Sequence, residues 1–206
     1  MRAKHDTMTM LEYEHKYIGQ NLRNIAGVDE VGRGPLAGPV VVACVIMPLG
    51  DEDIIQGVND SKKLSEKKRE MLYDLILEKA VSYRIELADE KKIDEINILN
   101  ATKECMKNSI ENMPVTPDVV LIDAVDIKTN VPIEPIIKGD AKSYSIACAS
   151  IIAKVYRDRL MKEYDAVYPE YGFASNKGYG SAQHIQAIKE KGACPIHRRT
   201  FIKNFV

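Results

Sequence analysis

No apolar stretch in this 206-residue chain reaches the roughly 18 residues that crossing a bilayer requires, so no membrane partner is expected. The opening segment, MRAKHDTMTMLEYEHKY, lacks the apolar core of a secretory signal. Cysteine is sparse and scattered, at Cys44, Cys105, Cys148 and Cys194. Cys44 and Cys148 sit in apolar surroundings and read as small buried hydrophobes. That usage excludes a disulfide framework and points to a reducing cytoplasm. There is no internal repeat and no low-complexity segment. There is also no Gly-Lys-Ser/Thr after a glycine loop, and the glycines at 32, 34 and 38 miss the dinucleotide-binding spacing. A phosphotransferase is thereby disfavoured.

A net charge of -1 gives no overall bias of sign, but it hides an asymmetry. From Lys138 onward, basic residues outnumber acidic ones two to one, while the rest of the chain is acidic. A basic C-terminal third beside an acidic body suits a polyanion held over a carboxylate site, although scattered solvated charge would count the same. The hydrophobic fraction of 45% and charged fraction of 29% are those of an ordinary globular domain.

The chain is organised around Ile25–Met47, IAGVDEVGRGPLAGPVVVACVIM. Asp29 and Glu30 close one apolar run, a glycine-rich turn follows, and Val40–Met47 forms a second run too β-branched and short to favour a helix. Before it, residues 1–10 are polar and expected to fray, and 11–22 have a loose helical spacing. After it, Ser65 is a helix cap for Glu66–Lys79, with Met71, Leu72, Leu75 and Ile76 as the buried face. Val81, Tyr83, Ile85 and Leu87 alternate, as in a strand with one wet face. Helical patterns cover 90–99 and 101–112, and Pro114 and Pro117 stop them. Val119–Ile122 reads as a strand buried on both faces and ends at Asp123. A short strand at 133–137 precedes Asp140, and a long helix spans 143–164, its Ala147–Ser150 segment small enough to approach the sheet. Ser181 caps a last helix that Gly192 ends. This order implies an α/β fold, a mixed five-stranded sheet with helices on both faces and a C-terminal helical segment. Residues 1–24 form an N-terminal helical extension, and 25–206 one domain whose basic segment, about 165–206, faces the substrate.

Adjacent carboxylates at a sheet edge repel one another and resist burial unless a cation is shared between them. Asp29 and Asp123 each terminate an apolar strand, so neighbouring strands would bring them together. Asp140 can bend back to the same edge. Four hard oxygen donors suit Mg²⁺ or Mn²⁺, as a pair roughly 4 Å apart. Singly, each acid could equally be a solvated strand end, or, for Asp140, a helix N-terminal acid. Arg33, between Gly32 and Gly34, stands where a backbone could meet a sugar or phosphate. Lys62, Lys63, Lys154, Lys177, Arg198 and Arg199 are candidates for phosphate contact or plain surface. Tyr179, between two glycines, could stack on a sugar or base or simply pack its loop. Asp158 reads as an arginine-paired acid on a helix surface. His184, Cys194 and His197 raise zinc, but a second ligand pair is missing.

Together these blocks resemble the bacterial ribonuclease HII family. The similarity rests on Ala26–Val40 (AGVDEVGRGPLAGPV), Asn59–Leu64 (NDSKKL), Leu121–Asp123 (LID), Lys138–Asp140 (KGD), Ala149–Arg159 (ASIIAKVYRDR), Lys177–Ser181 (KGYGS) and Pro195–Arg198 (PIHR), in the family's order. Ser181 departs from an expected Thr and keeps the hydroxyl, and the chain stops soon after Phe201 where some relatives carry a further helical segment. The resemblance implies a ribonuclease H-like fold and a monomeric endonuclease. It would cut the RNA strand of RNA–DNA hybrids and incise duplex DNA at embedded ribonucleotides, by two-metal-ion catalysis, leaving 3′-hydroxyl and 5′-phosphate ends. It makes Asp29, Glu30, Asp123 and Asp140 the catalytic metal-binding acids. Gly32, Arg33 and Gly34 would read the ribose 2′-OH, Tyr179 would stack at the RNA–DNA junction, and Lys62, Lys63, Arg198 and Arg199 would grip the backbone. A non-catalytic hybrid-binding module, needing the basic third but not the acids, is the alternative.

Overall fold

A computed structural model describes residues 7–206. Residues 1–6, the larger part of the stretch expected to fray, lie outside the described residues. Residues Thr7–Met10 do not fray: they form a 3-10 turn with Thr7 and Met10 buried, and Gly57 N–H donates to the Thr7 hydroxyl at 3.0 Å. Helix α1 (Glu12–Ile18) follows.

The sheet is built from β1 (Ile25–Val31), β2 (Val40–Ile46) and later β3 (Ser82–Ala88), β4 (Val119–Asp123) and β5 (Ile133–Ile136), in the order β3-β2-β1-β4-β5. The first three strands form an antiparallel meander, and β4 and β5 add in parallel on the other side of β1. β2 is buried along its whole length, as its β-branched sequence requires. Pro135 is tolerated because β5 is an edge strand, where one face of the ladder needs no donor. β3 is the other edge, which leaves Tyr83 and Leu87 half-exposed.

Helices cover both faces. Val41, Ala43 and Val45 pack against α2 (Glu66–Lys79) and the long α5 (Tyr144–Val167). Val40, Val42, Cys44 and Ile46 pack on the opposite face with residues of α3 (Glu90–Ile96) and α4 (Ile98–Glu111). The face of α2 differs from expectation. Leu72, Tyr73 and Ile76 are buried, whereas Met71 and Leu75 are 47% and 37% exposed. Tyr73 is buried in their place, its ring under the Arg159 guanidinium of α5, 4.5 Å away. The break between α3 and α4 falls earlier than expected, at Asn97, whose left-handed backbone (φ 66°) lets its side chain cap α4 through Asn100 N–H.

Helix α5 begins after Ser143, whose hydroxyl accepts from Ile146 N–H, and crosses β1 so closely that only glycine fits at position 27. A Cβ there would lie 2.1 Å from the Ser145 carbonyl carbon. Beyond α5, the short α6 (Phe173–Asn176) and α7 (Ala182–Lys191) build a third core. In it Met161, Tyr171, Phe173, Ile188 and Ile196 pack beneath Ala37 of the glycine-rich turn.

Candidate active site

Parallel pairing sets the acids. Val28 lies opposite Ile122, so the next residues along the two strands, Asp29 and Asp123, emerge at one sheet edge. Asp123 Oδ1 accepts from Gly139 N–H at 2.9 Å, which folds the Gly139–Ala141 turn, and with it Asp140, back onto that edge. Asp29 and Asp140 are both buried. Asp29 accepts from Glu30 N–H at 2.9 Å and from the Ser150 hydroxyl of α5, and Ser150 Oγ is 2.9 Å from Ser61 Oγ. Burial, then the charges of Glu30 and Asp123, hold the Asp29 carboxyl well above the usual range. Burial also raises Glu30, with Asp123 adding and Arg33 opposing. Asp140 is raised by burial and by Asp60 and Asp123, with Lys62, 3.5 Å away, opposing.

These donors fit a hard divalent cation: oxygen ligands only, crowded, and strained by mutual repulsion that a cation would relieve. Among the described residues, no three His, Cys, Asp or Glu side chains already converge closely enough to hold an ion. A surface hollow of about 380 Å³, lined by Glu86, Ala88, Lys92 and Cys105, lies between β3, α3 and α4, away from these acids.

Beside the acids, the glycine-rich turn is held from within by two buried arginines. Arg157 donates to the carbonyls of Pro39, Ala37 and Lys177 at 2.9, 3.1 and 2.8 Å. Arg198 donates to Gly38, Arg33 and Gly32 at 2.9, 3.0 and 2.6 Å. With those carbonyls turned inward, the exposed Arg33–Gly34 edge faces solvent. Gly32 needs to be glycine: its φ is 94°, and a Cβ would meet the Arg157 side chain at 2.3 Å.

This corrects the expectation for Arg198. It is fully buried and its guanidinium is engaged by carbonyls, so it is a strut of the turn and no grip on a phosphate. Burial lowers it to about 9 and Arg157 to about 10. Arg199, Lys62 and Lys63 are exposed. Asp158 is corrected too: it is buried and pairs with Lys154 at 2.7 Å and with Arg69 of α2 at 3.9 Å. Tyr179 is 43% exposed, and its ring edge would stand 3.7 Å from a Cβ on Gly34, so it flanks the turn. Ser61, Ser150, Asp60 and Arg157 were not singled out as site residues. All four lie inside the quoted blocks, where their hydroxyl or charge was the available signal.

A mixed sheet of this order, crossed by one long helix and carrying carboxylates where its two middle strands end, defines the ribonuclease H-like class of nuclease. A family model described as Ribonuclease HII matches residues 26–204. The chain is 56% identical over 213 residues to a ribonuclease HII of Ruminiclostridium cellulolyticum, covering 100% of this chain and 82% of that protein. It is 61% identical over 194 residues to one from Lachnoclostridium phytofermentans, covering 94% and 75%. The crystal structure of ribonuclease H2 from Pyrococcus horikoshii superposes with a TM-score of 0.74 at 30% identity, covering 88% of this chain and 96% of that one. The chain belongs to the ribonuclease HII family, and it is an endoribonuclease of the ribonuclease H kind.

Proposed function

We propose that this chain hydrolyses the RNA strand of RNA–DNA hybrids and incises duplex DNA at an embedded ribonucleotide. Breaking the P–O3′ bond would leave 3′-hydroxyl and 5′-phosphate ends. The observation that carries this reading is the meeting of two features at one edge: a repelling carboxylate set around Asp29 and Asp123, and a glycine turn whose carbonyls are drawn away by Arg157 and Arg198.

Asp29, Glu30, Asp123 and Asp140 would hold a pair of Mg²⁺ or Mn²⁺ ions, which when bound lower the pKa of water and offset charge at the scissile phosphate. Glu30 is braced by Arg33 at 3.5 Å, and Asp140 by Lys62 at the same distance. The Ser61–Ser150 hydroxyl pair fixes the Asp29 carboxylate. The exposed edge at Arg33 and Gly34 would meet the ribose 2′-OH, the group that separates RNA from DNA. Tyr179, beside Gly34, would stack on the sugar that follows. Lys62, Lys63 and Arg199 would contact phosphates, which position a duplex without reading its sequence. No helix among the described residues is long and apolar enough to cross a membrane.

The test is cleavage of a DNA duplex with one ribonucleotide beside a continuous hybrid, with product ends mapped. Cleavage should need Mg²⁺ or Mn²⁺ and fall at the ribonucleotide. Full activity in excess EDTA would overturn the metal assignment, and cutting of all-DNA duplex would overturn the 2′-OH reading.

A further inference from the structure

Tyr179 poses a mechanical problem. Its ring is half-exposed, and it stands between Gly178 (φ 82°) and Gly180, two residues after Lys177, which is itself left-handed (φ 53°). Such a backbone is permissive and does not fix a side chain by itself. Backbone bonds hold part of it, with Tyr179 N–H donating to the Asn176 carbonyl at 2.9 Å, Ser181 N–H to the Tyr179 carbonyl at 2.8 Å and Leu36 N–H to the Gly178 carbonyl at 2.8 Å, and a chain of buried polar groups adds to them. His184 Nδ1 lies 2.8 Å from the Tyr179 carbonyl, and His184 Nε2 lies 3.0 Å from His197 Nε2. His197 Nδ1 lies 3.0 Å from both Cys194 N and Cys194 Sγ. Both histidines are buried, with Tyr171 edge-on to His197 at 4.8 Å and Phe173 edge-on to His184 at 5.3 Å.

The proton positions follow from the donors. A backbone N–H points at His197 Nδ1, so that nitrogen is bare and the His197 proton is on Nε2. That proton is donated to His184 Nε2, which must then be bare. The His184 proton is therefore on Nδ1, and it is donated to the Tyr179 carbonyl. Any imidazolium in the pair would set N–H against N–H. Cys194 and His197 also belong to the segment that delivers Arg198 into the glycine turn, where Arg198 N–H donates to the Leu36 carbonyl.

We infer that His184 and His197 are positioning residues, a neutral directional relay that ties the Tyr179 backbone to the segment anchoring the glycine turn and so fixes the tyrosine ring relative to the ribose-reading edge. This rests on the reading of Tyr179 as a junction contact. A packing role alone would be filled with less desolvation by apolar side chains.

Nitrogen-detected NMR of the wild-type protein at neutral pH should show His184 protonated at Nδ1 and His197 at Nε2; the reverse tautomers, or an imidazolium, would overturn the relay. In kinetics, His184→Ala and His197→Ala should lower kcat/KM on the single-ribonucleotide duplex about fivefold, the worth of one neutral hydrogen bond. The loss on a continuous hybrid should be smaller. His197→Gln, which keeps a donor near Nε2, should recover most of it, with folding verified by thermal melts. Adding Tyr179→Ala to His184→Ala should cost little more than either alone. If Tyr179→Ala shifts the ratio between the two substrates but the histidine variants do not, or if the losses add, the relay is refuted while the tyrosine reading survives. If Tyr179→Ala leaves the ratio unchanged, the tyrosine reading fails first and takes the relay with it.

Discussion

Asp29 is kept where a carboxylate is least comfortable. It is buried, beside Glu30 and near Asp123, and its carboxyl holds its proton to higher pH than it would in the unfolded chain. Over that interval the folded state binds more protons, so its contribution to stability falls as pH rises. Asp29→Asn removes the charge and keeps an oxygen for Glu30 N–H and the Ser150 hydroxyl. In chelator, this variant should melt higher than wild type at pH 8, and the gap should shrink by pH 4 to 5. Its cleavage should be lost, and Mg²⁺ should raise the wild-type melting point but not the variant's. The arginines make a second pair of expectations. Arg198→Lys cannot reproduce three forked bonds to carbonyls, so it should destabilise by about 2 kcal/mol in urea unfolding and lower activity on every substrate. Arg199→Ala should leave stability alone and reduce the slope of log affinity against log salt by about one. Asp29 and Asp123 were legible because each stands where an apolar run closes, and a strand end is a place in space; Asp140 follows Lys138 and Gly139 in a turn and carries no such mark. Arg198 and Arg199 were not separable, because adjacent arginines in sequence carry no mark of which one finds a nest of carbonyls.

At the scale of elements, the tightest fit is α5 on β1. The approach at Gly27 is backbone against backbone, with no flexible side chain to yield, so Gly27→Ala must push the helix off the sheet. Overpacking of this kind costs about 3 kcal/mol or more, readable as a lower urea midpoint, and catalysis should fall further than stability predicts because α5 also carries Ser150. The small residues of α5 announced a close approach, and the caps at Ser65, Ser143 and Ser181 sit where hydroxyls precede helical patterns. The face of α2 was not legible: periodicity counts Met71 and Leu75 as apolar but cannot weigh an arginine from another helix that makes Tyr73 the better buried residue. The alternation in β3 was visible, but its place at the sheet edge, which leaves Leu87 44% exposed, depends on strands not adjacent in sequence.

Along the whole chain, the C-terminal third carries the basic excess and the remainder the acidic one, while the carboxylates emerge where β1 and β4 end. That distribution suits a polyanionic ligand long enough to span both, as a duplex is. A duplex with a non-cleavable 2′-deoxy junction should raise the melting point at low salt, and the gain should fade as salt rises. An equal gain at all salt concentrations would argue that contacts to phosphate are minor. The order of the strands, with β4 inserted beside β1, is what brings Asp123 to Asp29. Alternating strand and helix signals permit that order without requiring it, so the pairing of β1 with β4 stood only as a condition in the sequence.

Helix α5 touches the carboxylates through Ser150 and the glycine turn through Arg157, seven positions further along. Seven residues of α-helix are two turns, about 10.5 Å of stiff rod. Under the proposed function, that rod would work as a ruler between the bond to be cut and the sugar to be recognised. One residue inserted between those marks would rotate them by about 100° relative to each other, and the two ends of the instrument could no longer be read together.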